Sequence, residues 1–404
     1  MGYTAMRGGL EAIERAEALL AELEAGAAPD LSAHQVRDHL RAAVDRAMSE
    51  GGLYDPDLAG LAVRQAEGDP HEAAFLLRAY RSTLPRLGYS EPCDGSEMDL
   101  VRRITPAFKS TPGGQLLGRT RDYSQRLLDF GLVEPRASAE PTGVDADRHG
   151  PFRMPKVADL LRADGLLPEP PPDDDAPPYD ITREPLRFPA PRSARLQALA
   201  RGETGAMTTF AYSSMRGYGV VHSTLAELRV GFLPLRVRHP YTGESVRVGE
   251  VLVTEVEDMT VSRHTGAGRD EAAQFGLGYG LVFGQNERKA IAMAILDRAI
   301  DSGAAVPAAD EELVLQHVDG IEAAGFVEHL KLPHYVELQA IVQRMRSIRA
   351  GASELGDLVA TNGAAAVEAT NRPPADAAAA AANGSAEPAD EHARLHALGV
   401  EHGH

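Results

Sequence analysis

The sequence predicts an α+β fold, with a helical N-terminal region followed by a region of mixed strands and helices. Apolar residues recur at helical spacing through roughly the first 90 residues, as in "GLEAIERAEALLAEL" and "DPHEAAFLLRAYRSTL". Further along, "AELRVGFLPLRV" and "ESVRVGEVLVTEVEDMTV" combine β-branched residues with the alternation expected of strands. The apolar run "FGLGYGLVFG" then precedes "NERKAIAMAILDRAI", which predicts a buried strand and a helix that starts near Asn286.

Local signals place the helices of the first region, residues 1–133. Ser32 is suited to cap a helix, and Gly51-Gly52 is suited to end it. Asp55-Pro56 and Asp69-Pro70 repeat one device, in which aspartate caps the helix and proline occupies its first turn. The first region is therefore expected to consist of short amphipathic helices that pack on one another.

A loop-rich linker is predicted over residues 134–190. Before it, we expect a helix from Thr120 to Phe130 after a glycine-rich turn, and within it a short helix at "KVADLLRADG". The run "PEPPPDDDAPPYD" is too rich in proline to form a helix or a central strand. We therefore expect an exposed segment there.

The mixed region is predicted to span residues 191–350. Its helical patterns return from Glu311 to Leu330 and from Tyr335 to about Arg349. The tail, residues 351–404, is rich in alanine, glycine, asparagine and proline and has little apolar surface to bury. We expect this tail to be disordered.

The composition excludes several classes of protein. A formal charge of −18 over 404 residues argues against nonspecific binding to nucleic acid or to an anionic membrane. Cys93 is the single cysteine, so this chain alone can hold no iron–sulfur cluster and no internal disulfide. No signal peptide is recognisable, and no stretch approaches the roughly 20 apolar residues of a membrane span. We therefore expect a cytoplasmic protein.

The stretch "VEHLKLPHYVEL" places His329 and His334 five residues apart with Pro333 between them. On an unbroken helix, where each residue turns by about 100°, the two imidazoles would point in different directions. Pro333 favours a bend, which would allow both to reach one ion. A zinc site usually has four ligands, so others would have to come from elsewhere. The local sequence leaves open a metal site and a joint between two helices.

Two glycine-rich segments carry cations that could bind a phosphate. "SSMRGYGVVH" groups Arg216, Tyr218 and His222 around two glycines, where the alternative is a turn with a surface arginine. "FGLGYGLVFGQNERK" places its glycines before a helix start, where free amides attract anions. The alternative there is a buried strand and a capped helix. The candidates in this second segment are Gly278, Gly280, Arg288 and Lys289.

Carboxylates lie at strand spacing in "VRVGEVLVTEVED". By alternation, Glu250 shares a face with Val248 and Leu252, which we expect to be buried, while Glu255 lies on the other face. A carboxylate on an apolar strand face indicates either a buried ion pair or an acid/base group with a raised pKa. Both interpretations stay open at this point.

Several stretches, taken together and in order, resemble one family, the I subunit of the carbon–phosphorus lyase core complex. The matching segments extend to about residue 345 and are "MSEGG", "EAAFLLRAYRSTL", "PGGQLLGRTRDYSQRLLDF", "DITREP", "RGYG", "GEVLVTEVE", "GYGLVFGQNERKAIAMAILDRA" and "EAAGFVEHLKLPHYV". The resemblance implies a transferase that displaces adenine or guanine from ATP or GTP with an alkylphosphonate. The product would be an α-D-ribose 1-alkylphosphonate 5-triphosphate. Alone, the subunit would act as a purine nucleotide nucleosidase.

The resemblance also implies partners and a metal. The expected partners are the G, H and J subunits and an ATP-binding-cassette protein, with the iron–sulfur cluster in the J subunit. His329 and His334 match the family's metal-ligating histidines, which implies a divalent ion, zinc in our expectation, shared with the J subunit.

Residue chemistry, and not the resemblance, supplies candidates for the base-displacement site. The reaction passes through a cationic ribose, which a carboxylate would stabilise. The candidate carboxylates are Glu250, Glu255 and Glu287, and the cations named above would hold the triphosphate. The alternative is a noncatalytic scaffold that gives its partners a metal-bridged contact.

Overall fold

The computed structural model describes the following residues of the chain: 9–26, 30–124, 126–133, 154–170, 177–216, 223–261 and 274–351. It confirms the predicted α+β class. The chain divides into two units, Met1–His329 and Leu330–His404. In the described part of the first unit the helices are α1 (Leu10–Glu24), α2 (Ala33–His39), α3 (Arg41–Gly51), α4 (Pro56–Gln65), α5 (Pro70–Thr83), α6 (Val157–Ala163), α7 (Arg192–Arg201), α8 (Thr204–Met215), α9 (Glu287–Ser302), α10 (Glu311–His317) and α11 (Gly320–His329).

Four strands form one antiparallel sheet in the order β1-β2-β3-β4. They are β1 (Asp99–Ile104), β2 (Thr224–Arg238), β3 (Ser245–Val261) and β4 (Phe275–Phe283). The strand predictions for "AELRVGFLPLRV", "ESVRVGEVLVTEVEDMTV" and "FGLGYGLVFG" are thus confirmed. β2 and β3 form a long hairpin whose register shifts opposite Leu235 and Arg236, near its outer end. Such a β-bulge bends a strand and redirects its side chains.

The main core lies between one face of the sheet and α9. The sheet contributes Leu228, Val230, Val256 and Val282, and the helices contribute Met207, Met293, Leu296 and Ile300. Asn286 precedes the first residue of α9, so the predicted helix start is confirmed. Most of α9 is buried, because α8 covers its other side.

Glycines on β4 allow α9 to lie close against the sheet. A Cβ on Gly278 would come within 2.1 Å of the Ala294 carbonyl oxygen, and one on Gly280 within 2.2 Å of the Ala290 carbonyl oxygen. No side chain fits at such distances, so the sequence needs glycine there. Close packing accounts for both glycines, and the substrate contact that we predicted for them is not needed to explain them.

The other face of the sheet is covered by loops and α6. Met98, Leu100 and Met154 pack there on Leu233 and Val253. Beside them, Val157 and Leu161 of α6 pack on Ala226 and Met259. The sheet is therefore covered on both faces over its inner part, whereas residues 245–249 of β3 are exposed.

The N-terminal helices α2–α5 form their own small core, built from Val36, Val44, Met48, Val63 and Leu77 among others. The predicted caps are confirmed, but the helix expected between Ser32 and Gly51 is divided at Leu40 into α2 and α3. Ser32 Oγ accepts from Gln35 N at 3.2 Å, and Asp55 and Asp69 accept from the first turns of α4 and α5. Gly52 ends α3 with φ at 65°, a left-handed conformation that glycine adopts without strain.

Buried polar contacts attach these helices to the rest of the first unit. Arg46 of α3 contacts Glu203 before α8, with Nη2 and Oε1 2.5 Å apart. Arg78 of α5 places Nη1 2.8 Å from both carboxylate oxygens of Asp319, and its Nη2 donates to the Arg201 carbonyl at 2.9 Å. The N-terminal helices and the sheet therefore belong to one unit.

One predicted helix is wrong. The segment from Thr120 to Phe130 has turns and irregular backbone in its described residues, followed by a single 3₁₀ turn at Phe130–Leu132. Just before it, Leu116 pairs with Arg103 of β1 in an isolated β-bridge. Arg102 donates to the Leu117 carbonyl and the Asp122 carboxylate. These contacts hold the segment against β1 in a non-helical conformation, and helical periodicity alone could not reveal them.

The second unit contains a further helix over residues 335–351, which confirms the helical pattern predicted from Tyr335. Three of the predicted segments lie partly or wholly outside the described residues: the linker over 134–153, the proline run at 171–176 and the tail over 352–404. Cys93 is exposed. None of the helices in the ranges given above combines the length and the apolar character that crossing a membrane requires.

Candidate functional site

Glu255 lies in a buried cluster of charges on the loop-covered face of the sheet. Lys156 Nζ is 2.8 Å from Glu255 Oε1 and 2.9 Å from Glu257 Oε1. Arg229 of β2 pairs with the other oxygen of Glu255, and the Tyr279 hydroxyl donates to Glu255 Oε1 at 3.0 Å. We call these five residues the β3 carboxylate cluster.

The two glutamates of the β3 carboxylate cluster differ in acidity. Burial opposes the ionisation of Glu255, but Arg229 and Lys156 outweigh it and hold the pKa of Glu255 below its ordinary value. Burial raises the pKa of Glu257, and Lys156 offsets this only in part. Burial and the neighbouring Glu255 raise the pKa of Tyr279 well above its ordinary value, so its hydroxyl stays a donor.

Such a divergence of pKa values occurs both in acid/base sites and in structural ion networks. Glu255 is only 2% exposed, so its carboxylate faces protein on all sides in this conformation. Both its oxygens are occupied by cations or by Tyr279. The contacts of Glu255 are those of a structural ion pair, although the sequence alone left both interpretations open.

Glu250 lies in a different environment from the one predicted. We expected a buried strand face, but Glu250 is half-buried and its neighbour Val248 is 59% exposed. Arg247 Nη2 donates to Glu250 Oε2 at 2.5 Å. The reason is that the β2–β3 hairpin extends beyond the helices and loops that cover the inner sheet, and alternation cannot show where that cover ends. Glu250 is thus the most accessible of the three candidate carboxylates.

Glu287, in the first turn of α9, joins α9 to β1. Its Oε1 lies 2.9 Å from Arg102 Nε and accepts from Gln285 Nε2 at 2.9 Å. Arg102 also pairs with Asp122, in the segment we predicted to be helical. The side chain of Arg102 is 3% exposed and that of Glu287 is 23% exposed, so this contact lies at the edge of the core.

The two cations of α9 that we predicted to bind phosphate, Arg288 and Lys289, differ in burial. Arg288 is exposed. Lys289 is fully buried, and its Nζ donates to Ser49 Oγ of α3 at 2.8 Å. Burial lowers the pKa of Lys289 to about 7, and the nearby Glu50 carboxylate opposes this shift. Lys289 therefore serves as an internal contact between α9 and α3, and a ligand in solvent cannot reach it in this conformation.

Arg216 lies at the C-terminal end of α8 and is exposed. Its guanidinium carbon is 6.0 Å from the centroid of the Tyr212 ring, at the limit of a cation–π contact. Tyr218 and His222, predicted with it, lie outside the described residues. The structure therefore tests neither of these two.

His329 and His334, with the four residues between them, form what we call the HxxxxH element. The two histidines are described separately, because His329 ends the first unit and His334 belongs to the second. In each, ring Nδ1 contacts a nearby backbone carbonyl, that of Phe326 for His329 and that of Leu332, at 2.6 Å, for His334. When Nδ1 carries the proton in such a contact, Nε2 has the lone pair that a metal binds. Among the residues that the structure describes, no group of three or more His, Cys, Asp or Glu side chains could hold a metal. The donor chemistry of each histidine fits a zinc ligand, provided that further ligands are supplied.

Sequence reasoning missed a cavity of about 1240 Å³ beside the outer end of the β2–β3 hairpin. The segment after α5, the "DITREP" stretch and the hairpin end surround it. Its described lining includes one carboxylate, Glu91, and four arginines: Arg81, Arg86, Arg183 and Arg238. Val248, two residues from Glu250, also lines it. The signal that could have found it is that two of the stretches in the family resemblance, "EAAFLLRAYRSTL" and "DITREP", carry Arg81 and Arg183.

The family of the chain follows from its sequence over almost all the described residues. Residues 2–352 match the family model of the bacterial phosphonate metabolism protein PhnI. The chain therefore belongs to this family, and the resemblance to the I subunit is confirmed. The match ends near the start of the tail predicted to be disordered.

Three named relatives are similar to this chain over most of its length. The chain is 46% identical to the alpha-D-ribose 1-methylphosphonate 5-triphosphate synthase subunit PhnI of Rhizobium meliloti (strain 1021), over 85% of this chain and 95% of the relative. It is also 46% identical to the protein of the same name from Escherichia coli (strain K12), over 86% of this chain and 98% of the relative. A candidate C-P lyase subunit protein of Stutzerimonas stutzeri, HtxH, is 49% identical over 86% of this chain and 96% of its own length.

Proposed function

We propose that this chain is a subunit of an α-D-ribose 1-alkylphosphonate 5-triphosphate synthase and carries its nucleotide chemistry. The observation that carries the proposal is the 46% identity, over most of both chains, to two relatives with the synthase subunit name. The substrates would be ATP or GTP and an alkylphosphonate. With water in place of the phosphonate, the chain alone would act as a purine nucleotide nucleosidase.

The chemistry exchanges one bond at the anomeric carbon of the ribose. The bond from C1′ to the purine nitrogen breaks, and the departing purine takes a proton. A phosphonate oxygen, or water in the nucleosidase reaction, forms the new bond to C1′. Positive charge develops on the ribose as the base leaves, so an accessible carboxylate beside the sugar would stabilise the transition state.

Of the three candidate carboxylates, Glu250 suits this role best. It is half-buried, and Val248, two residues before it, lines the arginine-rich cavity. Its partner Arg247 is a surface residue that a ligand could displace. Glu255 and Glu287 are each held by buried cations, and we keep them as second choices. Arg216 and Arg288, both exposed, and Tyr218 and His222 stay proposed substrate contacts.

We further propose that His329 and His334 contribute to a divalent metal site, with zinc as the ion, completed by a partner subunit. The contact of each Nδ1 with a backbone carbonyl supports the assignment, because it orients the ring as in many metal-bound histidines. When bound, such an ion would supply Lewis-acid chemistry. The partners would be the G, H and J subunits and an ATP-binding-cassette protein, in a cytoplasmic complex, with the iron–sulfur cluster in the J subunit.

The proposal is tested by incubating the purified chain with ATP or GTP, with and without methylphosphonate. Release of the purine base, followed by chromatography, and formation of the ribose 1-methylphosphonate triphosphate, followed by phosphorus NMR, are the expected results. If the chain alone releases base but forms no phosphonate product, the test is repeated with the partner subunits. Failure to release base in both settings would contradict the proposal and favour a noncatalytic scaffold.

A further inference from the structure

Two arginines meet at the wall of the cavity beside the β2–β3 hairpin. Arg81 belongs to α5 and lines the cavity, and Arg201 ends α7 behind it. A Cβ on Gly52 would lie 2.8 Å from Arg81 Nη1 and 3.7 Å from Arg201 Cδ, so both side chains lie against the same glycine. Arg78, which pairs with Asp319, is the third cation of this group.

Neither Arg81 nor Arg201 forms an ion pair with a carboxylate among the described residues. The carboxylates that act on them at longer range, Asp180 on Arg81 and Asp319 and Glu322 on Arg201, do not cancel the effect of burial and of the neighbouring arginines. Arg81 Nη1 donates only to the Gly52 carbonyl, at 3.2 Å, and the buried Arg201 Nε makes no hydrogen bond. Burial, together with the neighbouring Arg78, lowers the pKa of Arg201 to about 10. Burial, Arg78 and Arg86 lower the pKa of Arg81 in the same direction. The fold therefore keeps two cations here at an electrostatic cost.

The neighbouring arginines of the cavity have carboxylates near them. Asp180 pairs with Arg86, which also donates to Thr182 Oγ1 at 2.9 Å, and Asp180 lies 3.9 Å from Arg183. Glu91 Oε1 lies 3.1 Å from Arg238 Nε. The contacts of Arg86 orient its guanidinium group before any ligand binds, which lowers the entropy cost of binding. Arg183 and Arg238 are largely exposed and are free to turn toward a ligand. Arg81 and Arg201 have no such ion pair among the described residues, so their charge is the positive excess at this wall.

A concave site lined by four arginines, one of them preoriented, suits a phosphate chain. Planar guanidinium groups bind phosphate oxygens in pairs, and they favour phosphate over solvent where the site is partly buried. The positive charge is confined to this part of the surface, since the chain as a whole carries a formal charge of −18. The rest of the wall is partly apolar, with Leu84, Val237 and Pro240, which suits the uncharged part of a nucleotide.

We infer that this cavity binds a polyphosphate chain, with Arg81 and Arg183 contacting phosphate oxygens and Arg201 adding charge from behind. That the bound polyphosphate is the 5′-triphosphate of a purine nucleotide rests on the proposed function. Glu250 does not line the cavity itself, but it lies two residues from Val248, which does.

Binding to the purified full-length chain tests the inference without reference to catalysis. Calorimetric titration with inorganic tripolyphosphate, ATP and adenosine is expected to show binding of the first two and none of the third. Tighter binding of ATP than of tripolyphosphate would show that the cavity also contacts the nucleoside, whereas equal binding would show that it recognises the phosphates alone. Both results support a polyphosphate site. A poly-glutamate peptide that competes as well as tripolyphosphate would overturn it in favour of an acidic protein partner.

Charge-removing variants locate the binding. Arg81→Gln and Arg183→Gln are each expected to weaken tripolyphosphate binding about 10- to 100-fold, the loss typical of one hydrogen bond to a charged group. The matched control is Arg64→Gln, which removes an exposed arginine of α4 that pairs with Asp30. Arg183 is largely exposed, so its variant stays informative if Arg81→Gln folds poorly. Equal affinity in all four proteins, or no binding to the wild type, would overturn the inference.

Base release measured on the same proteins separates the two proposals. If tripolyphosphate binding falls in the variants but the wild type, alone or with partners, releases no base from ATP, the cavity is supported and the proposed function fails. If base release occurs while every variant binds tripolyphosphate equally, the proposed function is supported and the cavity is overturned.

Discussion

Lys156 Nζ lies 2.8 Å from Glu255 Oε1, and this contact ties a loop outside the sheet to the middle of β3. The same nitrogen lies 2.9 Å from Glu257 Oε1. Two glutamates on one strand face would repel each other if both were ionised without a cation. Lys156, with Arg229, offsets part of that repulsion, and Lys156 attaches the segment that leads into α6 to the sheet.

Glu255→Gln is therefore expected to destabilise the fold by about 3–5 kcal/mol, because it leaves Arg229 and Lys156 buried beside a neutral group. Glu257→Gln is the matched control. Since burial already raises the pKa of Glu257, a neutral side chain there should cost clearly less. Urea unfolding at pH 7 measures both. Equal losses in the two variants would contradict the assignment of Glu255 as the structural anchor.

Glu250→Gln is expected to behave in the opposite way. Its ion pair with Arg247 is partly exposed, so unfolding free energy should change by less than about 1 kcal/mol. Base release from ATP should fall roughly 10²- to 10³-fold, as when one transition-state electrostatic group is lost. Glu244→Gln, at the exposed turn of the same hairpin, should leave both quantities unchanged. A stable Glu250→Gln protein with full activity would remove Glu250 from the proposed site.

Gly280→Ala is expected to destabilise the fold by about 1–3 kcal/mol or more, since its Cβ would come within 2.2 Å of the Ala290 carbonyl oxygen and push α9 from the sheet. Gly249→Ala is the control on β3, where an added Cβ meets nothing within 4 Å. Thermal unfolding of the two variants should differ clearly. A Gly280→Ala protein as stable as the control would show that α9 does not need this close approach.

Lys289 predicts a pH dependence of stability. Because burial lowers its pKa to about 7 from 10.5, the unfolded chain binds more protons at this site than the folded chain between those pH values. The free energy of unfolding is therefore highest above about pH 10.5, where Lys289 is neutral in both states. It falls as the pH decreases toward 7, because protonation then favours the unfolded chain. The slope for one group is about 1.4 kcal/mol per pH unit.

Lys289→Met should abolish this slope. The difference in unfolding free energy between wild type and variant, measured in urea at pH 7, 8 and 9, should shift steadily in favour of the wild type as the pH rises. Lys109→Met, which removes an exposed lysine, should give a difference that does not change with pH. A constant difference for Lys289→Met would show that Lys289 titrates at an ordinary pKa.

His329→Ala and His334→Ala are each expected to lower the metal content of the assembled complex, measured by mass spectrometry of the elements. His71→Ala, which changes a partly exposed histidine of α5, should leave the metal content unchanged. Base release should survive better than the overall conversion of phosphonate, because we expect the metal to lie toward the partner subunit. Equal metal content in all four complexes would remove both histidines from the proposed ligands.

Much of the fold could be predicted from local signals. The caps at Ser32, Asp55 and Asp69, the end of a helix at Gly52 and the start of α9 after Asn286 all depend on residues within one turn of each other. The helix predicted from Thr120 failed for a complementary reason. Its conformation depends on Arg102, which is distant in sequence and holds the chain by its side chain.

The sequence by itself determined the class of fold, the order of most elements, the family and the HxxxxH element, because periodicity, capping and ordered motifs are properties of neighbouring residues. Only the tertiary structure decided which charged groups are buried and which face a cavity. Alternation placed Glu250 and Glu255 on opposite faces of β3, but it could not tell that the cover ends before Glu250 and encloses Glu255. More than a hundred residues separate Arg81 from both Arg183 and Arg201 in the sequence. Only packing brings α5 and the "DITREP" segment to the same cavity and places the end of α7 beside α5. Burial and the energy of a charge depend on what the rest of the chain places nearby, and that is information that no local stretch contains.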